Sequence, residues 1–135
     1  PNTEKYRAYQ GGPFPIEQIR EETFISREKG SGTYQAGKEL LSQYGIDIAS
    51  LRTAVEIRST ESVKQMVSEG LGVGLIAESA AQDYMQFGKL LAFSFPDSPF
   101  RRRLYIVKHK NSILSPIAQV FYDYARKAGD KASAQ

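Results

Sequence analysis

The sequence predicts an α/β domain with a largely parallel sheet and helices on both of its faces. Three observations carry this. Short apolar or β-branched runs alternate with longer segments whose apolar residues recur at helical spacing. The elements read as a possible short helix, then βαβαβα, then two strands and a final helix, the order of packed βαβ units. Glycines stand where the helical patterns stop, at Gly45 and Gly70.

Residues 1–15 are polar and turn-rich, with Gly11-Gly12-Pro13 and Pro15, and read as a linker or an edge. Pro15 suits the first turn of a short helix in "PIEQIRE". "TFIS" at 23–26 is a short apolar strand. A helix follows Gly32, because Ala36, Leu40, Leu41 and Tyr44 share one face. "TAVEI" at 53–57 alternates and is β-branched, so it predicts a strand. Ser59 caps a helix striped by Val63, Met66 and Val67. "LGVGLIA" at 71–77 predicts a buried strand, with glycines where backbones approach closely. A helix over 77–87 turns Ala80, Ala81 and Tyr84 inward. "KLLAFSF" at 89–95 and "RRLYIVKH" at 102–109 predict two more strands around a Pro96–Pro99 turn. The last helix runs from about 115 to 127, with Leu114, Ile117, Ala118, Phe121 and Ala125 on one face, and residues 128–135 read as a disordered tail.

Composition excludes several classes of function. The 135 residues carry a formal net charge of +3, with scattered basic residues, which does not support nucleic-acid binding by this segment. Arg101-Arg102-Arg103 is the one basic run and reads as a solvated strand edge. There is no cysteine, hence no disulfide framework; this fits a reducing cytoplasm. No apolar run reaches the ~18 residues of a membrane span. The chain opens at Pro1 without a methionine and reads as a fragment. One histidine, no cysteine and no close carboxylate cluster argue against a metal site. His109 has no nucleophile in a recognisable motif, so no catalytic residue and no cofactor are expected. Glu21-Glu22 read as a solvated turn.

Two junctions stand out. In such sheets, ligands bind at the carboxyl ends of strands, where the following helices begin. That rule selects the turn after Ser26 and the turn after Ile57. At the first, "GSGT" offers the hydroxyls of Ser31 and Thr33 and the open backbone of Gly32. At the second, "RST" offers Arg58, Ser59 and Thr60, the arginine being a forked cationic donor suited to a carboxylate or other oxyanion. Arg27 lies just before the first turn. The first amides of a helix lack internal partners and can be met by caps, water or an anion. For either junction taken alone, the cap reading is slightly ahead, since Ser31 and Ser59 are both good N-caps. The lysine-bearing phosphate loop is absent, and "GLGVG" at 70–74 does not open a helix, so nucleotide binding is not expected.

"FISREKGSGT", "VEIRSTESVKQMVSEGLGVGLIAESA" and "GKLLAFSFPDSPFRRRLYIVKHKNSILSPIAQVFYDYA" together resemble the effector-binding domain of LysR-type transcriptional regulators, over about residues 15–127. The resemblance implies a periplasmic-binding-protein-like (type II) subdomain, with a mostly parallel or mixed sheet of about five strands. It implies residues 1–14 as the edge of a preceding subdomain, 15–110 as effector-binding subdomain II and 111–127 as the returning helix of subdomain I. A small, anionic effector would bind in the cleft between subdomains, with Arg27, Ser31, Gly32, Thr33, Arg58, Ser59 and Thr60 on this wall. A cytoplasmic regulator is implied, a dimer or tetramer when full-length, touching DNA only through a helix-turn-helix domain absent from this chain, and no membrane. The bared face of the last helix is then expected to be covered by another copy or by crystal contacts. The alternative is one lobe of an oxyanion- or solute-binding transport protein, whose receptors share a GSGT-like helix start. A dehydratase of aromatic amino-acid synthesis uses the same two-lobed fold, but its signature is absent.

Overall fold

The computed structural model describes residues 1–95 and 105–132. The chain divides into two compact units, Pro1–Arg101 and Arg102–Gln135, considered in turn. The Pro96–Pro99 turn and the Arg101–Arg103 run lie outside the described residues.

The first unit is built around two parallel strands, β1 (Phe24–Arg27) and β2 (Thr53–Ile57), both close to the predicted positions. Parallel strands need a crossover. Here it is helix α2 (Gly32–Gln43), which is followed by a short 3-10 turn at Ile48–Ser50. Arg27 pairs with Ile57 in the register, so both strands end at the same edge of the sheet. Side chains alternate across β1. Phe24 joins Ile19, Leu41, Ile46, Ile48 and Leu51 on the α2 side. Ile25 joins Val63, Val67, Ala81 and Leu90 on the opposite side, which belongs to helices α3 (Thr60–Ser68) and α4 (Glu78–Gln86). Helices thus cover both faces, as expected of the α/β class. Fully burying a side chain such as Leu41 contributes about 1.5–3 kcal/mol.

Helix ends follow from the glycines. After α2, Gly45 takes a φ of 68°, its N–H donates to the Ser42 carbonyl at 3.1 Å, and the Ile46 N–H donates to the Leu41 carbonyl at 3.0 Å. These paired bonds satisfy carbonyls that the helix leaves open. The same pair of bonds closes α3 around Gly70 and α4 around Gly88.

The sheet is smaller than predicted. Among the described residues it holds two strands rather than about five. Residues 71–77 meet β1 only at a bridge, where the Ile25 N–H donates to Val73 at 2.8 Å and the Val73 N–H donates to Thr23 at 2.9 Å. Glycines at 72 and 74 permit this approach but supply no side chains to prolong a ladder. A Cβ on Gly72 would overlap the Thr23 carbonyl. Residues 89–95 form no ladder among the described residues. They dock through side chains instead: Leu90 is buried, Phe93 stacks near Phe14 at 5.7 Å and Phe95 near Tyr44 at 5.9 Å.

Residues 1–14, read from sequence as a linker or edge, pack into this unit. Helix α1 (Glu4–Arg7) buries Tyr6, and a 3-10 helix at Ile16–Arg20 buries Ile19. The packing changes the reading of Glu22, which is not on a solvated turn but buried. Its carboxylate accepts from Lys5 at 2.5 Å and from the Tyr6 hydroxyl at 2.7 Å. Burial alone would raise its pKa, but the hydrogen bonds from Lys5 and Tyr6 and the nearby positive charges outweigh burial and hold it below the ordinary carboxylate value.

In the second unit, residues 105–109 form no strand, and α5 (Pro116–Ala132) runs past the expected end near 127. No proline interrupts residues 125–132, and Ala, Lys and Arg there favour a helix despite Gly129. Ile117, Phe121 and Tyr124 are exposed in the single chain, and Lys108 lies over the Tyr122 ring.

Two outcomes follow for stability. Gly72→Ala should cost about 1–3 kcal/mol in urea unfolding, because the added methyl meets backbone that cannot yield; an unchanged midpoint would refute the close approach. For Glu22 the folded pKa is depressed, so its contribution is present above the ordinary carboxylate value and is lost as pH falls through the folded one. The stability gap between wild type and Glu22→Gln should therefore shrink steadily in acid; a gap independent of pH would refute the network.

Candidate functional site

Because β1 and β2 run parallel and end together, the helices that follow them both begin at that edge. At the start of α2, Ser31 has an extended backbone and its Oγ accepts from the Tyr34 N–H at 3.0 Å. At the start of α3, the Ser59 Oγ accepts from the Ser62 N–H at 3.3 Å. Both serines are N-caps, as their residue type predicts. Each cap satisfies the third helical amide and leaves the first two. Among the described residues, the amides of Gly32 and Thr33 and those of Thr60 and Glu61 meet no acceptor. Each pair of amides sits at the positive end of a helix dipole.

The structure brings Arg27 and Thr60 together, although they are 33 residues apart. An Arg27 Nη donates to the Thr60 hydroxyl. Its Nε donates to Glu28 at 2.9 Å and to the Ile57 carbonyl at 3.1 Å, and its other Nη donates to Glu28 at 3.2 Å. Arg58 and Ser59 are exposed, and Thr33 is half-buried. Arg58 donates no hydrogen bond among the described residues, although its charge acts on Glu28.

Glu28 escaped the sequence reading, and its position between Arg27 and Lys29 was the signal available. The Arg27 hydrogen bond holds its carboxyl below the usual carboxylate range, with Arg58 adding to the effect. Glu28 is therefore an anion already neutralised by Arg27, and the charge left over at this edge is that of Arg58 and Lys29.

A second cluster fixes α3 one turn further on, along the face that carries Thr60. Lys64 is buried and donates to Asp83 at 2.7 and 2.9 Å, pairs with Glu61 at 2.8 Å and lies over the Tyr84 ring. The Tyr84 hydroxyl donates to Glu61 at 2.9 Å. The Asp83 and Glu61 hydrogen bonds raise the Lys64 pKa, and Lys64 lowers both carboxylates. One cation shared by two carboxylates thus holds α3 to α4. Among the described residues, no group of three or more His, Asp or Glu could hold a metal ion, and no helix is long and apolar enough to cross a membrane.

A parallel α/β unit with two capped helix starts at one sheet edge is the architecture of a small-ligand-binding domain. Residues 3–130 match the family described as the LysR substrate binding domain, and the chain belongs to that family. It is similar to the HTH-type transcriptional regulator CbbR of Rhizobium meliloti (strain 1021), 33% identical over 113 residues, covering 84% of this chain and 36% of the relative. The RuBisCO operon transcriptional regulator of Acidithiobacillus ferrooxidans is 34% identical over 107 residues, covering 79% and 34%. Among solved structures, the Synechocystis PCC6803 CcmR regulatory domain in complex with 2-PG matches with a TM-score of 0.70 at 30% identity, covering 85% of this chain and 54% of that one. The chain spans about a third of the length of these curated relatives. They are regulators of transcription, which supports the effector-sensing reading over a transport receptor or an enzyme.

Proposed function

We infer that this chain is the effector-sensing part of a LysR-type transcriptional regulator, and that it holds a small anionic metabolite at the starts of α2 and α3. The observation that carries the reading is the convergence of two helix starts at one sheet edge, each with two amides unmet by any acceptor among the described residues. Gly32 and Thr33 supply amides on one side, with the Thr33 hydroxyl and the Ser31 cap beside them. Thr60 and its neighbours supply the other side, and exposed Arg58 supplies the fixed positive charge. Helix dipoles, amides and a guanidinium all favour an oxyanion. The 2-PG ligand of the solved relative supports a small-molecule effector of this kind.

In this reading the two helix starts form one wall of an inter-subdomain cleft, within a subdomain of about residues 15–110. Residues 111–127 would return as a helix to the companion subdomain. The regulator works in the cytoplasm as a homo-oligomer, contacts DNA through a separate helix-turn-helix domain, and changes its grip on DNA when the cleft fills.

In the full-length regulator, Arg58→Ala should weaken 2-PG or a related anion by one charge-assisted hydrogen bond, about 1.5–3 kcal/mol or roughly 10- to 100-fold in Kd by calorimetry. The double variant Ser31→Ala with Thr33→Ala should also weaken it. Wild-type affinity in both would remove the helix starts from the site.

A further inference from the structure

We propose that Arg27 is a positioning residue and not an effector ligand: it latches the first turn of α3 to the end of β1 and fixes the Thr60 hydroxyl as a donor toward the site. This rests on the effector-site reading and assigns a division of labour within it.

Three features of the geometry carry the assignment. First, the guanidinium is already engaged. It donates to the Glu28 carboxylate through two nitrogens, to the Ile57 carbonyl and to the Thr60 hydroxyl, and its side chain is 13% exposed. Three of its five N–H groups are thereby taken, and turning the fork toward an effector would leave the Glu28 carboxylate half-covered and unpaired beside an incoming anion. Such uncompensated charge is what protein sites avoid. Exposed Arg58 faces no such cost.

Second, the bonds span three elements. Arg27 ends β1, Ile57 ends β2 and Thr60 opens α3. The Glu28 N–H also donates to the Ile57 carbonyl, at 3.3 Å. The rigid fork of arginine suits such a junction, because it serves several acceptors from one plane. Lysine, whose three donors leave a single nitrogen, could not reach these spread acceptors with the same planar fork.

Third, the latch determines what Thr60 can do. A hydroxyl has one proton and rotates to suit its partners. With Arg27 donating to its oxygen, the Thr60 proton must point elsewhere, and polarisation along the chain makes it a better donor. Arg27 thus acts on an anion through Thr60, while Lys64, one turn further along the same face of the helix, ties that part of α3 to α4.

The test uses the full-length regulator and the variants Arg27→Gln, Thr60→Val and Thr60→Ser. In unliganded protein, hydrogen exchange read by mass spectrometry should rise over residues 58–66 in Arg27→Gln and in Thr60→Val, and return to wild type in Thr60→Ser. Titration with 2-PG should then show the same loss for Arg27→Gln and Thr60→Val, roughly three- to tenfold. The double variant should lose no more than either single one, and in the charge-matched variant Arg27→Gln with Glu28→Gln the dependence of Kd on salt should stay as in wild type. A flattened salt dependence in that charge-matched variant would make Arg27 a direct ligand and overturn the proposal, as would additive losses or unchanged exchange over 58–66. If Arg27→Gln does not fold, Thr60→Val carries the same exchange and binding comparisons against Thr60→Ser. If wild type binds neither 2-PG nor inorganic phosphate, the anion site fails while the exchange results still decide the latch.

Discussion

The parallel pairing of β1 with β2 is the constraint from which the rest follows. An antiparallel pair would send the two helix starts to opposite edges of the sheet. A parallel pair that ends in register, Arg27 beside Ile57, delivers both starts to one edge. The pairing also sets the core, because the alternating side chains of β1 send Phe24 to one layer and Ile25 to the other. The strand that leads to the candidate site is therefore buried over its first three residues, and the groups at its end follow directly on the core.

Two opposing demands meet at that edge. Helix starts need their amides satisfied, and a binding site needs amides left over. Ser31 and Ser59 reconcile the two, since each cap takes the third amide of its helix and leaves the first two. Charge is divided in a similar way. Arg27 neutralises Glu28 and braces the junction, so that Arg58 remains as the exposed cation. The polar interior is equally closed: among the described residues, no buried side-chain polar atom lacks a partner.

Local chemistry made much of this legible in the sequence. Thr53–Ile57 alternates β-branched residues, and the strand spans those five residues. Ser31 and Ser59 are caps because of what they are and where the apolar faces begin. The glycines at 72 and 74 announced a close backbone approach. What the sequence hid depends on partners distant along the chain. Glu22 looked solvated because Lys5 and Tyr6, 17 and 16 residues away, lie in a stretch rich in turn residues. The bond from Arg27 to Thr60 was hidden, because nothing local shows that Thr60 will take one of its donors. Residues 71–77 read as a strand because an apolar run reports burial, and burial at a single bridge looks the same as burial in a ladder.

The central claim is that an anion sits at the two helix starts. A crystal structure of the regulator grown with saturating 2-PG tests it most directly. The account predicts anion oxygens within hydrogen-bond distance of the Gly32 and Thr33 amides, the Thr60 hydroxyl or first α3 amides, and the Arg58 guanidinium, with Arg27 still on Glu28. A ligand bound elsewhere in the domain, with these amides facing only solvent, would contradict it.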